Sequence, residues 1–265
     1  MIIDFHTHTF PDKIAAKTIE KLSSVSNITP FSDGTVRGLS ETMEKSGVDL
    51  SIVLPVATKP EQFKTINETA QIVNKEYAGR LISFGGIHPD SPDCRSELEA
   101  VKQMGLVGIK LHPDYQKVYI DDERYMQIVD YASQLGLIIV VHAGVDVGYP
   151  EPVHCTPERS RRLIDAVHPK KFVLAHMGGF DMWDDVEKYL VGQDIYLDTA
   201  YTFEKMGKER FLRLVRLQGA EKILFATDSP WCGQKESVQW IKASGLTQEE
   251  QEMIFSENAK RLLDL

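Results

Sequence analysis

Two histidines, His6 and His8, stand one residue apart at the end of the first apolar run of the chain. In an extended strand the side chains at positions i and i+2 lie on the same face, so both imidazoles can reach one cation. Imidazole nitrogens suit Zn, Mn or Fe in a catalytic site that keeps an open position. Asp4 has the same parity, so it is expected to face inward one layer lower, as a partner of a histidine or as a structural carboxylate.

Further groups that can bind metal or move protons follow later apolar runs. Any single histidine among them could be a hydrogen-bonded structural residue, but a set of this size would be costly to bury without a shared role. The pattern predicts one metal-dependent active site. These additional candidates are His88, Lys110, His112, His142, His176 and Asp228.

Eight apolar, β-branched runs with helical patterns between them must position these residues. They predict a single-domain α/β protein, a (β/α)8 TIM barrel over residues 1–265, because the strand ends of such a barrel gather at one active-site face. A doubly wound sheet is the alternative, but no glycine fingerprint follows the first strand. Thr247 and Glu250 have the spacing of a capping box and predict the start of the last helix. The predicted strands are Ile2–His8, Leu50–Val56, Leu81–Ile87, Val107–Leu111, Leu137–His142, Lys171–His176, Ile195–Thr199 and Ile223–Thr227.

The composition is that of a soluble globular protein, with 42% hydrophobic and 26% charged residues and a formal net charge of −9. The acidic balance argues against a nucleic-acid partner. No apolar run approaches the roughly 18 residues that span a bilayer, and no signal peptide precedes the first strand. Three cysteines without a CxxC pair indicate reduced thiols. We therefore expect a cytoplasmic protein that has no membrane or nucleic-acid partner.

Taken together, these motifs resemble the amidohydrolase superfamily, and most of all its amidohydrolase-related branch (amidohydrolase 2) of metal-dependent TIM barrels. The resemblance rests on the opening His-x-His, on Gly-Ile-Lys-Leu-His-Pro at residues 108–113 and on Thr-Asp-Ser-Pro-Trp at residues 227–231. It extends over nearly the whole chain. The branch contains hydrolases and also the aminocarboxymuconate-semialdehyde and resorcylate-type decarboxylases.

The resemblance implies a set of metal ligands. His6, His8, His142 and Asp228 would hold one divalent ion, with Zn expected and Mn or Fe as alternatives. In hydrolases of this type the aspartate also accepts a proton from the metal-activated water, so Asp228 is a catalytic candidate. His176 would act as an acid/base beside one ion or would bind a second ion.

Other residues are assigned by the same resemblance or by their position. Lys110 lies where two-metal members carry a carboxylated lysine; otherwise it stays an ammonium group, contacts an anionic substrate and takes part in catalysis. His88 and His112 are expected to contact the substrate, and each precedes a proline, which favours turn geometry. Trp231 is expected to wall the pocket.

Two enzyme activities fit this ligand set. The first interpretation is a metal-dependent hydrolase that cleaves a C–N, ester or lactone bond in a small molecule, and a carboxylated substrate would fit the charge of Lys110. The alternative is a metal-dependent decarboxylase of the same superfamily; the shortness of the chain favours the hydrolase. A homodimer would suit the resemblance.

Three other interpretations fit less well. A histidinol-phosphatase-type phosphoesterase would end in an Asp-x-His pair, and no histidine stands two residues after Asp228. A TatD-like nuclease would carry a glutamate where Ala226 stands. An inactive barrel would lack an expected ligand, and every expected position is filled.

Overall fold

The computed structural model describes residues 1–265 and contains nine β-strand segments, all in parallel pairs. Two of the segments are halves of one barrel strand that is interrupted at Phe84. The eight predicted strands are therefore confirmed. The segments are β1 Ile3–Thr7, β2 Leu50–Val53, β3 Leu81–Ser83, β4 Gly85–Gly86, β5 Gly108–Leu111, β6 Ile138–Val141, β7 Phe172–Leu174, β8 Tyr196–Asp198 and β9 Ile223–Leu224.

Backbone hydrogen bonds close these strands into a barrel. β1, β2 and β3 pair in order, and β4 to β9 also pair in order. The Phe84 N–H donates to the Val53 carbonyl at 2.9 Å and joins the two sheets. On the other side, the Phe5 N–H donates to the Phe225 carbonyl at 2.8 Å and joins β1 to the residues that follow β9. The predicted TIM barrel is confirmed.

Thirteen helices connect and surround the strands. The predicted capping box is present, since the Glu250 N–H donates to the Thr247 hydroxyl and the Thr247 N–H donates to the Glu250 carboxylate. None of the helices is both long and apolar enough to cross a membrane. The helices are α1 Asp12–Ser26, α2 Val36–Ser46, α3 Phe63–Glu76, α4 Cys94–Gln103, α5 Pro113–Gln116, α6 Glu123–Gln134, α7 Pro157–Val167, α8 Trp183–Tyr189, α9 Phe203–Met206, α10 Lys208–Gln218, α11 Gln234–Lys242, α12 Gln248–Glu252 and α13 Asn258–Leu263.

The interior of the barrel is filled by alternating apolar side chains such as Ile3 and Phe5 of β1 and Ile52 of β2, which are fully buried in one cluster. A second and larger apolar cluster lies between the strands and the helices. Since both faces of the strands are buried, the short strands are held rigidly and can fix the side chains that follow them.

An irregularity in β1 changes which of its side chains face inward. The pairing register between β1 and β2 shifts between Asp4 and Thr7. As a result, Asp4 points toward the helical layer, where its carboxylate accepts hydrogen bonds from the Thr227 hydroxyl at 2.6 Å and the Gln234 amide at 2.8 Å. The expected inward position of Asp4 is therefore wrong, because the bulge breaks the parity count. Burial raises the pKa of Asp4 to about 7.

Candidate active site

His6, His8 and Asp228 form a compact group, here called the first cluster, at the carboxyl ends of the strands. The Nε2 atoms of the two histidines lie 3.1 Å apart. Asp228 Oδ1 is 3.3 Å from His6 Nε2 and 3.1 Å from His8 Nε2. These three atoms could hold one metal ion. The prediction that His6 and His8 share a face with Asp228 agrees with this geometry.

Both imidazoles of the first cluster are oriented by partners on their other nitrogen. His8 Nδ1 lies 2.8 Å from the Leu54 carbonyl, and His6 Nδ1 lies 2.8 Å from the Asp198 carboxylate. A carbonyl and a carboxylate accept hydrogen bonds, so each Nδ1 carries the proton and each Nε2 presents a lone pair. Two lone pairs and a carboxylate oxygen converge within 3.3 Å, which is the donor set that a divalent cation needs.

The charge states of these residues also fit a cation. Burial and the neighbouring Lys110 ammonium hold the pKa of His6 well below its usual value, so the imidazole is neutral. Burial alone would raise the pKa of Asp228, but His6 and His8 hold it below its ordinary value. Neutral imidazole and ionised carboxylate are the forms that bind metals.

Lys110 lies at the floor of the cavity beside the first cluster. Its side chain is completely buried, and Nζ lies 3.1 Å from His6 Nε2. Burial lowers the pKa of Lys110 to about 8, against the opposing effect of Asp198 and Asp228. The lysine can therefore contact an anion bound at the first cluster.

A second cluster, defined as His112, His142 and Asp146, lies across the cavity after β5 and β6. The rings of His112 and His142 stack with centroids 4.1 Å apart and planes at 8°. His112 Nε2 is 3.5 Å from Asp146 Oδ2. His142 Nε2 and the nearby Asp114 Oδ2 are buried, 3.9 Å apart, and without a hydrogen-bond partner.

The His142 ring has contacts on both of its nitrogens. Its Nδ1 is 3.0 Å from His176 Nε2, and its Nε2 is 4.0 Å from Asp146 Oδ2 in the second cluster. The stack on His112 and the contact with His176 fix the ring. The role of His142 as a ligand of the same ion as His6, His8 and Asp228 stays a prediction.

His176 lies between the two clusters. Its Nδ1 donates to the Ala200 carbonyl at 2.8 Å, so its Nε2 faces His142. Its ring centroid is 5.4 Å from that of His6. The backbone of His176 has φ 58°, and those of Tyr201 and Asp228 have φ 54° and 68°. Such left-handed conformations are costly for these residue types and are often found at functional sites.

Two of the three predicted substrate contacts line the cavity, and the third does not. His112 and Trp231 line the cavity, as expected. His88 does not line it, because the chain turns after β4 and His88 Nδ1 accepts the backbone N–H of Asp90 at 3.1 Å. The expected contact of His88 with substrate is therefore corrected: this histidine stabilises a turn.

The clusters lie in a cavity of about 660 Å³. Aromatic rings form much of the wall around both clusters, among them Phe10, Tyr115, Phe180, Tyr201 and Trp231. Tyr115 extends the histidine stack, since its ring lies 3.9 Å from that of His112. A cavity with apolar walls and a few convergent polar groups is the usual form of a small-molecule site.

Sequence reasoning missed three carboxylates at the site. Asp198 ends β8 and could have been found by extending the search for strand-end ligands to this strand. Asp114 and Asp146 lie beyond the ends of β5 and β6, in a short helix and a loop. Their spacing from the strand-end histidines carries no recognisable motif, so no signal in the sequence pointed to them.

Comparison with known proteins identifies the family to which the sequence belongs. The sequence model of the amidohydrolase family matches residues 3–265. No curated protein matches by sequence.

Among solved structures, 5-carboxyvanillate decarboxylase from Sphingomonas paucimobilis has a TM-score of 0.75 at 16% identity, over 100% of this chain and 99% of that one. An uncharacterised TIM-barrel protein from Bordetella bronchiseptica has a TM-score of 0.78 at 19% identity, over 99% and 98%. Dihydroxybenzoic acid decarboxylase from Polaromonas sp. JS666, solved with manganese and 2-nitroresorcinol, has a TM-score of 0.73 at 14% identity, over 100% and 97%.

These structural likenesses confirm the barrel fold over the full length of the chain. The family match covers every residue of both clusters and confirms the resemblance on which the enzyme prediction rests. The chain belongs to the amidohydrolase family.

Proposed function

We propose that this protein is a metal-dependent decarboxylase of a small hydroxylated aromatic acid. This was the alternative of the sequence analysis, and it replaces hydrolysis of a C–N, ester or lactone bond as the first interpretation. Several full-length structural neighbours are decarboxylases of 5-carboxyvanillate and dihydroxybenzoate. The length of the chain no longer favours a hydrolase, because this chain covers nearly the whole length of these decarboxylases.

The observation that carries the proposal is the aromatic wall around the two histidine–carboxylate clusters. Phe180, Tyr201 and Trp231 line the same cavity as His6 and Asp228. A planar ring can pack against such walls while its oxygens face the first cluster. Loss of CO2 is favoured where the carboxylate is poorly hydrated, and apolar walls reduce its hydration.

His6, His8 and Asp228 would hold a divalent ion, and Lys110 would lie beside the bound anion. When bound, the ion supplies positive charge that holds substrate oxygens and stabilises negative charge as it develops. Lys110 adds a cationic group 3.1 Å from His6 Nε2 and fixes the orientation of the acid.

The reaction needs one proton at the ring carbon. The bond between this carbon and the carboxylate breaks, its electron pair stays on the carbon, CO2 leaves and a proton takes its place. His176 Nε2 and His142 Nδ1 are 3.0 Å apart and can share a proton in the cavity. We assign the proton donor to His176 in its imidazolium form: the Ala200 carbonyl keeps the proton on Nδ1, the second proton is on Nε2, and its transfer to the ring carbon leaves a neutral imidazole.

The donor atoms support a divalent metal ion but do not select one element. Zinc was the sequence-based expectation, whereas three neighbouring structures contain manganese. Protein purified without chelators should be analysed for both metals, and activity should be measured after loading with each.

The test of function is a substrate panel with the metal-loaded protein. We expect CO2 release from 2,6-dihydroxybenzoate or 5-carboxyvanillate, and incorporation of one deuterium at the former carboxyl carbon in D2O. His176→Asn should slow this step far more than it weakens substrate binding. Turnover of esters, lactones or amides without CO2 release from any acid would reject the decarboxylase and restore the hydrolase.

A further inference from the structure

One face of α1 borders the cavity along the whole helix. Its side chains recur at the three- and four-residue spacing of a single helical stripe. Ile14 and Val25 in this stripe are 51% and 48% exposed, so about half of each side chain is left uncovered by the rest of the chain. The stripe consists of Ile14, Lys17, Thr18, Lys21, Leu22 and Val25.

The face of α1 next to this stripe fixes the helix to the barrel. Ala15 and Ile19 are its buried residues. Ile19 packs directly on Gly34, where a Cβ would approach Ile19 Cδ1 to 2.6 Å. Near its other end, Val25 reaches the loop after β6, and a Cβ on Gly148 would lie 3.4 Å from Val25 Cγ1. The helix therefore extends from the end of β1 toward the second cluster.

Two residues of α3 line the other side of the same cavity. Ile66 and Thr69 are half-buried and belong to the lining that also includes His6 and His8, whereas Ala70 and Val73, next to them on the helix, are buried in the apolar cluster between strands and helices. The α1 stripe, Ile66 and Thr69 line one apolar part of the cavity that also contains the first cluster. Here "α1–α3 groove" means this part of the cavity.

The size of the cavity exceeds what a single-ring acid would fill. Cavities of about 300–1,000 Å³ commonly enclose drug-sized ligands. At about 660 Å³, this one lies in the middle of that range. The acids named for the structural neighbours, dihydroxybenzoate and 5-carboxyvanillate, have one ring each.

We propose that the α1–α3 groove binds an apolar extension of the substrate, so that the natural substrate is an aromatic acid with an alkyl chain or a further ring. The carboxylate end rests on the proposed function, whereas the extension rests on the groove alone. Leu22 and Ile66 would contact the extension, and the alkyl stems of Lys17 and Lys21 would cover it at the rim.

The experiment measures binding of 2-hydroxybenzoate and its 6-propyl, 6-pentyl and 6-heptyl derivatives to manganese-loaded protein by calorimetry. We expect Kd to fall by roughly fourfold for each methylene that the groove buries. Leu22→Asp should lose this dependence on chain length. Ile72→Asp is the matched control, because Ile72 is 54% exposed on α3 outside the cavity, and it should keep the dependence.

A second variant covers the case in which Leu22→Asp does not fold. Thr69→Trp would fill the groove and should weaken binding of the heptyl derivative most. A wild-type Kd that is independent of chain length would overturn the inference, as would the absence of binding by every acid. Tight binding of the long acids without CO2 release would overturn the proposed decarboxylation and leave the groove assignment standing.

Discussion

The two histidine–carboxylate clusters contain the same residue types but are held in different ways. In the first cluster, His6 and His8 are fixed through Nδ1, and both Nε2 lone pairs meet beside Asp228. In the second, His112 and His142 lie face to face at 8°. Lone pairs of imidazole lie in the ring plane, so two parallel rings cannot both aim at one point between them. Each cluster offers donor atoms close enough to hold an ion, but this difference in ring geometry leads us to expect coordination at the first cluster and hydrogen bonding to a substrate at the second.

The largest expected effect separates the clusters by metal content. His8→Ala should lower metal affinity by more than the roughly 10–100-fold that loss of an outer partner produces. His112→Ala should retain one ion per chain, because its ring is not aimed at the first cluster. Elemental analysis of both proteins after purification without chelators gives the answer, and equal metal loss in the two variants would contradict the assignment.

A smaller effect is expected from the carboxylate behind His6. Asp198→Asn should weaken metal binding about 10–100-fold, because the amide no longer holds the His6 Nδ1 proton as a carboxylate does. The affinity can be measured by competition with a chromogenic chelator. Asp194→Asn is the control, since this aspartate is 92% exposed and pairs with Lys222. An unchanged affinity in Asp198→Asn would show that His6 is oriented by the backbone alone.

The second cluster can be weakened without touching the first. Asp146 accepts the backbone N–H groups of Gly148 and Tyr149 and faces His112 Nε2 at 3.5 Å. Asp146→Asn should raise KM about threefold to tenfold, the effect of one hydrogen bond, with metal content unchanged. Steady-state kinetics together with elemental analysis tests this. Loss of metal here would make the second cluster a coordination site after all.

The smallest effect concerns the approach of an anion to either cluster. Lys17 and Lys21 line the rim and take part in no ion pair, in a chain of net charge −9. Changing both to glutamine should raise KM severalfold at low salt and much less at about 0.5 M salt, where screening is strong. Lys13→Gln, on α1 but outside the cavity lining, should change little. A salt-independent effect would argue for a direct contact instead.

The sequence predicted the barrel and the first cluster because both depend on short-range patterns. The run from Ile2 to His8 shows an apolar strand and a His-x-His pair, and Asp228 follows the last strand in the same way. The residues at strand ends share one face in any parallel barrel. Nothing beyond chain order is needed to bring them together.

The remainder depends on side-chain packing that spacing does not encode. The inward position of Asp4 was predicted wrongly because a bulge shifts the register of β1. The stack of His142 on His112 could not be read from the sequence, and His88 lies outside the cavity because the chain turns after β4. The α1–α3 groove could not be predicted from the sequence, since the apolar stripe of α1 could equally have packed against the barrel.

The seam of the barrel passes through the first cluster. The Asp228 N–H donates to the His6 carbonyl at 2.8 Å, and the His8 N–H donates to the Ser229 carbonyl at 2.6 Å. The ligand atoms therefore come together only when the first and last strands meet, after more than 200 intervening residues have folded. During synthesis His6 and His8 emerge early and Asp228 emerges late, so the complete first cluster can form only after the last strand has joined the ring. Joining Leu265 to Met1 and opening the chain elsewhere would leave only residues 229–265 and 1–5 between Asp228 and His6, so we expect the first cluster to form earlier in synthesis.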